Sequence, residues 1–217
     1  MSEERASGII LRTRPLTETS LIVQWLTSDL GRIATVAKGA RRPKSLFRGK
    51  LDLFYSCDFS FARSKRSELH TLREVSLLET HADLRKELSW LEQISYCTAL
   101  IEQATETETP LPKIFSDFKG LVDEISKHAA QPQTLFAFEI KLLDELGLKP
   151  DFAETNLSAG AKQILGRYAE LDWPGIFRLK LSVAQTAELR QFLHGFLLYH
   201  LEKIPKGRNH ALDFSVP

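Results

Sequence analysis

Leu51-Asp-Leu-Phe-Tyr55-Ser-Cys57-Asp-Phe59-Ser-Phe61-Ala62 sets Leu53, Tyr55, Cys57, Phe59 and Phe61 on one face and Asp52, Ser56, Asp58 and Ser60 on the other. A period of two is the mark of a strand with one face in a core. Four further runs of β-forming residues lie around it, at Ile9 to Arg14, Ser20 to Thr27, Arg32 to Lys38 and Glu68 to Leu78, each bounded by turn residues. Ser28-Asp29-Leu30-Gly31 reads as the tight turn between the second and third strands, and Arg63-Ser-Lys65-Arg66-Ser67 as the turn between the fourth and fifth. Five short antiparallel strands suit a small closed barrel of the OB type, because a sandwich usually needs about seven.

Near residue 80 the apolar period lengthens to that of helices. Leu84, Leu88, Leu91, Ile94, Cys97 and Ile101 step by three and four, which predicts one buried stripe. Thr109-Pro110 reads as an N-cap with Pro at the first helical position, opening a helix that carries Phe115, Phe118, Leu121, Val122 and Ile125. Pro132 starts the next, which runs through Leu135, Phe138, Ile140, Leu142 and Leu146 and stops at Gly147 with Pro150 beyond. A weaker segment from Ala159 to Tyr168 precedes Ser182-Val-Ala-Gln185, a capping box for a last helix with Leu189, Phe192, Leu193, Phe196, Leu197 and Leu201. The expected fold is therefore α+β, a five-stranded OB-type barrel over residues 1–80 followed by a helical bundle over 81–217. The stretches at Thr105 to Thr109 and near Pro150 read as linkers.

With 217 residues, 43% hydrophobic and 26% charged, the chain has the composition of a soluble globular protein, and no apolar run approaches the ~20 residues that span a bilayer. Met1-Ser-Glu-Glu-Arg5 lacks the apolar core of a secretory signal, and two cysteines do not make a disulfide framework, so the expected compartment is a reducing cytoplasm. Formal net charge is only +1, yet Arg32 to Lys50 holds seven Lys or Arg and no Asp or Glu. Gly39, Pro43 and Gly49 bar that stretch from a regular helix. A loop with this much uncompensated charge suits a phosphate backbone. The competing reading is a solvated basic turn without a partner.

Enzyme motifs are missing. Gly49-Lys50 has no Gly five residues earlier and is followed by Leu51, so it is no Walker A loop, and neither G-x-G-x-x-G nor G-x-S-x-G occurs. The six histidines show no H-E-x-x-H spacing. Cys57 falls on an inward strand face and Cys97 in a helical stripe, as small buried residues do. The acidic residues Asp29, Asp52, Asp58 and Glu68 form no grouping that would hold a metal for a nuclease.

Several stretches resemble the RecO family of bacterial recombination mediators. They are Gly8-Ile-Ile-Leu11-Arg12-Thr-Arg14, Glu18-Thr-Ser20, Leu30-Gly31-Arg32-Ile33, Val36-Ala-Lys38-Gly39-Ala-Arg41-Arg42-Pro43-Lys44-Ser45 and Ser67-Glu-Leu-His70-Thr-Leu-Arg73-Glu74, with looser likeness from Phe138 to Pro150 and Phe196 to Leu201. The resemblance implies an OB barrel and a helical domain that bind single- and double-stranded DNA, anneal complementary strands, contact single-strand-binding protein, and work with RecR to help load RecA near the nucleoid. No cofactor is expected. Many relatives carry a four-cysteine zinc module after the helix that ends near Gly147, whereas residues 151–182 here contain neither Cys nor His, so the ligands of such a site are missing.

Lys38, Arg41, Arg42, Lys44, Arg48 and Lys50 are the expected phosphate contacts, with Arg12, Arg14 and Arg73 in support, and Phe47 is a candidate to stack on a base. The single-strand-binding protein of this system ends in an acidic tail with a terminal aromatic, so its receptor should be an apolar pocket rimmed by cations. Phe138, Lys141 and Leu142, with Arg178, Lys180 and Arg190, are the candidates. The alternative function is a protein-binding adaptor without direct DNA contact.

Overall fold

The computed structural model describes residues 3–213. Strands β1 (Glu3–Pro15), β2 (Leu21–Thr27), β3 (Gly31–Ala37), β4 (Ser56–Ala62) and β5 (Leu69–Glu79) form a closed barrel in the order β1-β2-β3-β5-β4. Helices follow it, as the α+β expectation with an OB-type barrel requires. The five strands are not all antiparallel, because β3 and β5 run parallel through Ala34↔Leu69, Thr35↔His70 and Val36↔Thr71. An odd number of strands cannot alternate in direction around a closed ring, so one neighbouring pair must be parallel.

β1 extends six residues before its expected start because it serves two partners. Glu3 to Ile9 pair with β4 and Gly8 to Pro15 with β2, with a bulge between Ile10 and Arg12 where the strand turns from one to the other. Conversely β4 begins at Ser56 rather than Leu51. Phe54 takes a left-handed backbone (φ 66), Tyr55 N–H bonds the Asp52 carbonyl at 3.3 Å, and Leu53 faces solvent instead of the core. The interior is built by Ile10, Val23, Trp25, Ile33, Cys57, Phe59, Phe61, Leu72 and Val75. Trp25 stacks on Phe59 at 4.0 Å between centroids and donates its indole N–H to Thr35 Oγ1 at 2.9 Å, which satisfies the one polar atom the ring takes inside.

Among the described residues the remaining elements are three 3-10 turns, Ala82–Lys86, Ile125–Lys127 and Phe152–Glu154, and helices α1 (Leu88–Ala104), α2 (Pro112–Glu124), α3 (Pro132–Glu145), α4 (Ala159–Glu170), α5 (Trp173–Arg178), α6 (Val183–Leu201) and α7 (Arg208–Leu212). Leu88, expected in the buried stripe, is exposed instead, since Ala82–Lys86 is a separate 3-10 turn and α1 takes a new phase after it. Helix α2 starts at Pro112, with Phe115 N–H on the Leu111 carbonyl at 3.1 Å, so Thr109-Pro110 is not its cap. The expected ends of two helices do form. Ser182 and Gln185 make both bonds of the capping box on α6, and α3 closes with Leu148 N–H on Leu143 O at 2.8 Å around Gly147 at φ 71.

The chain divides into two compact units, one of residues through Ala82 together with Thr105–Ser116, the other of Asp83–Ala104 and residues from Asp117 onward. Within the first unit, Thr105 to Thr109 straps onto β3. Thr107 bridges Arg32 in parallel, Glu108 N–H bonds the Arg32 carbonyl at 2.8 Å, and Arg32 Nε donates to Thr105 Oγ1 at 2.8 Å. Gly31, at φ +65, is required there, because a Cβ would stand 2.0 Å from the Thr109 carbonyl oxygen. In the second unit α3 is the central helix, with every residue from Gln133 to Leu143 buried.

Candidate nucleic-acid interface

The pairings Pro15↔Leu21 and Leu21↔Ala37 bring the end of β1, the start of β2 and the end of β3 to one end of the barrel. The basic loop leaves from there. Successive turns carry it, with Arg42 N–H on Gly39 O at 3.0 Å, Ser45 on Arg42 at 3.1 Å, Arg48 on Ser45 at 3.2 Å and Lys50 on Phe47 at 3.1 Å. It is tethered at three places. Arg41 N–H bonds the Thr19 carbonyl at 3.0 Å and its guanidinium the Thr17 carbonyl at 3.1 Å, Phe47 packs into the barrel core, and Lys50 Nζ donates to Val75 O at 3.0 Å.

Lys38, Arg41, Arg42, Lys44 and Arg48 are exposed, and among the described residues none of them pairs with a carboxylate. Lys50 is half-buried. A groove of about 390 Å³ lies between this loop and the β1–β2 connection, lined by Thr17, Thr19 and Ser20 hydroxyl residues, Val36, Lys38 and Arg42. Hydroxyls beside two cations are a set of donors for an anion. Arg14, opposite Ile22, stands next to the end of the barrel from which the loop leaves. Arg73, on β5, and Lys38, one residue past the end of β3, each follow the parallel pair Val36↔Thr71 by two residues. Arg12 lies further along β1, opposite Gln24 at the bulge, and all three arginines are exposed. Phe47 is only 9% exposed, so its ring is a core residue and is not presented to a base.

The opposite charge collects elsewhere on the barrel. Residues of β1, β4 and β5 and Asp29 of the β2–β3 turn line a cleft of about 510 Å³, in which Asp29, Asp58 and Glu74 face the single cation Arg5. Arg63 is already committed, with Nε 2.7 Å from Glu4 Oε1 and Nη1 2.8 Å from Glu108 Oε2. Its hydrogen bonds hold the Glu4 carboxyl below the usual carboxylate range. Lys65 and Arg66, which the sequence placed only as turn residues, are exposed at the tip of the β4–β5 connection.

Neither thiol is poised for chemistry. Burial pushes Cys57 up to about 12 and Cys97 well above the ordinary thiol range, so both stay protonated. His70 is buried, accepts from Ser64 N–H at 3.3 Å and sets Nε2 2.8 Å from Glu108 Oε1, which holds the strap against β5. Residues 151–182 fold as a 3-10 turn, α4 and α5, and they do not fit a thiolate or imidazole metal site. Asp172 in that segment is spent as the N-cap of α5, accepting from Gly175 N–H at 2.9 Å.

The expected tail pocket is not on the surface. Phe138 and Leu142 are buried in the core of the helical unit, and Lys141, 6% exposed, pairs with Asp117 at 3.3 Å. They are interior because α3 is surrounded on all sides and has no solvent face. Arg178 and Lys180 are exposed and Arg190 is half-buried. A cleft of about 310 Å³ opens instead between α1 and the start of α7, with Leu88 and Leu91 as apolar lining and Glu92, Ser95, Lys206 and His210 as polar lining. Beside it, Arg208 and Glu139 make a buried two-pronged ion pair (2.7 and 2.9 Å) to which Tyr96 donates at 2.7 Å. Among the described residues no helix is long and apolar enough to cross a membrane.

The family model described as Recombination protein O N terminal matches residues 1–81, and the one described as Recombination protein O C terminal matches residues 91–159. The chain is similar to the DNA repair protein RecO of Rhodopirellula baltica, 34% identical over 143 residues that cover 66% of this chain and 53% of that one. It thus matches about half the length of that relative. The proteins of the same name from Halalkalibacterium halodurans and Bacillus pumilus are each 29% identical, over 88% and 92% of this chain and 77% and 80% of their own.

Proposed function

The chain belongs to the RecO family of DNA repair proteins, and on that premise we propose that it is a non-enzymatic DNA-binding mediator that anneals complementary single strands and helps load a recombinase onto DNA coated by single-strand-binding protein. The observation that carries this reading is the tethered loop with its five exposed cations, Lys38, Arg41, Arg42, Lys44 and Arg48. Cations on a pinned backbone lose little entropy when they meet phosphates, and each contact releases condensed counterions. Annealing needs two strands to approach, and neutralising phosphates on both lowers their repulsion. Arg12, Arg14 and Arg73 extend the positive surface. The residues up to 80 form the DNA-binding domain of this reading and those from 81 the helical domain. RecR and RecA are its further partners, and the cytoplasmic nucleoid its place of action. For the acidic, aromatic-tipped tail of the single-strand-binding protein, the cleft offers Leu88 and Leu91 as an apolar floor and Lys206 as its one cation, with Glu92 also in the lining.

The test is the salt dependence of binding to fluorescent single-stranded DNA. Five phosphate contacts at about −0.7 each give a slope near −3.5 for log K against log salt, and reversing Arg41, Arg42 and Lys44 to Glu flattens it by about two units. A folded triple variant with the parent slope removes the loop from the interface. Failure of the parent protein to bind any oligonucleotide, at every salt concentration, favours the adaptor reading instead.

A further inference from the structure

Leu46 stands in solvent at the centre of the cationic loop, 83% exposed, while its neighbour Phe47 is 9% exposed and lies in the barrel core. A single exposed leucine is ordinary on a protein surface. Its setting here is not ordinary. Arg48 N–H bonds the Ser45 carbonyl at 3.2 Å, so Leu46 is the second residue of a four-residue turn, and Phe47 N–H donates to Ser45 Oγ at 3.2 Å. Phe47 packs into the barrel core and so anchors the turn from which the adjacent leucine projects into solvent. The charged side chains around it in sequence, Arg42, Lys44 and Arg48, are all cationic and exposed.

An apolar tip set among phosphate-binding groups has one large apolar surface available on a nucleic acid, the face of a base. Leucine is among the side chains that proteins wedge between stacked bases, while nearby cations hold the flanking phosphates. We infer that Leu46 inserts between adjacent bases of a bound single strand and unstacks them. This rests on the DNA-binding reading of the loop and adds that the loop touches bases as well as backbone. A strand held by its phosphates with its stack broken keeps its pairing edges accessible, which is the form a complementary strand must meet.

The full-length protein is titrated into a single-stranded oligonucleotide carrying one 2-aminopurine, whose emission rises when it is unstacked. The parent protein raises the emission. Leu46→Ala binds about three- to tenfold more weakly with the same salt slope and gives no rise, and Leu46→Met restores it. The melting temperature stays at the parent value, because an 83% exposed side chain has little packing to lose. A full rise with Leu46→Ala overturns the inference, as does parent protein that binds with the steep slope yet leaves the emission flat. Parent protein that binds no oligonucleotide at any salt concentration overturns the DNA-binding reading and this inference with it, so the two failures are told apart.

Discussion

Lys141 is a cation inside a helical core, and its worth is measured by what its replacement leaves behind. With 6% exposure and Nζ 3.3 Å from Asp117 Oδ1, it neutralises a carboxylate that is itself 18% exposed. Lys141→Glu sets two carboxylates against each other in that space, and breaking a buried pair in this way costs about 3–5 kcal/mol. Lys141→Met keeps the aliphatic stem and is expected to cost far less, since a hydrophobic isostere often replaces one member of such a pair at small loss when the other reaches water. Urea midpoints of the two variants check this, and equal midpoints would remove the pair from the stability of the fold. The same residue shows where sequence reading stops. Phe136, Ala137, Phe138, Ile140, Leu142 and Leu143 leave α3 without a solvent face, whereas the charge of Lys141 read locally points to a surface. The Glu139–Arg208 pair was illegible for a different reason, because 69 residues separate its members and neither lies in a local pattern. The basic loop was legible because its signal, cations without acids, needs no partner elsewhere in the chain.

At the scale of elements, two helix ends written in local sequence form as expected, although the equally local Thr109-Pro110 signal does not cap α2. The Ser182 and Gln185 cap and the turn at Gly147 depend on residues three to five apart. The strap does not. Thr105-Glu-Thr-Glu-Thr109 reads as a polar linker, and only pairing with β3, more than 70 residues earlier, makes it part of the barrel. Its place follows from topology, since β3 pairs with β5 only through Ala34 to Val36 and Thr107 bridges the earlier residue Arg32. Glu108 then meets both Arg63 at 2.8 Å and His70 at 2.8 Å. Gly31→Ala tests the strap, because the new Cβ meets the Thr109 carbonyl and the left-handed backbone is unfavourable for alanine. A loss of about 1–3 kcal/mol is expected, together with faster exchange of the Glu108 amide. Gly195→Ala is the control, since that glycine lies within α6 and an added Cβ meets nothing within 4 Å, so stability should rise by about 0.5–1 kcal/mol. A Gly31→Ala protein with unchanged stability and exchange would show the strap to be dispensable.

Across the whole molecule a formal net charge of +1 conceals a division of labour. The cations of the basic loop belong to the unit that contains the barrel, whereas Leu88, Lys206 and His210 belong to the helical unit. If the loop holds DNA and the helical cleft holds an acidic tail, changes in the cleft should leave bare DNA untouched. Leu88→Glu with Lys206→Glu makes the separation sharp, because it places two negative charges where an acidic peptide would lie and removes an apolar contact. Leu88 is 70% exposed and Lys206 is exposed, so the fold should tolerate the pair. An exposed charge pair is worth about 1 kcal/mol or less, and the lost apolar contact adds to it, so the tail peptide should bind about tenfold more weakly or worse. Annealing of naked complementary strands should keep its parent rate, while annealing of strands coated with single-strand-binding protein should slow in step with the lost peptide affinity. Equal slowing in both assays would place these residues in the DNA-binding function or the fold. Unchanged peptide affinity would move the receptor away from this cleft, and Arg178 and Lys180, exposed at and just beyond the end of α5, are the next cations to reverse.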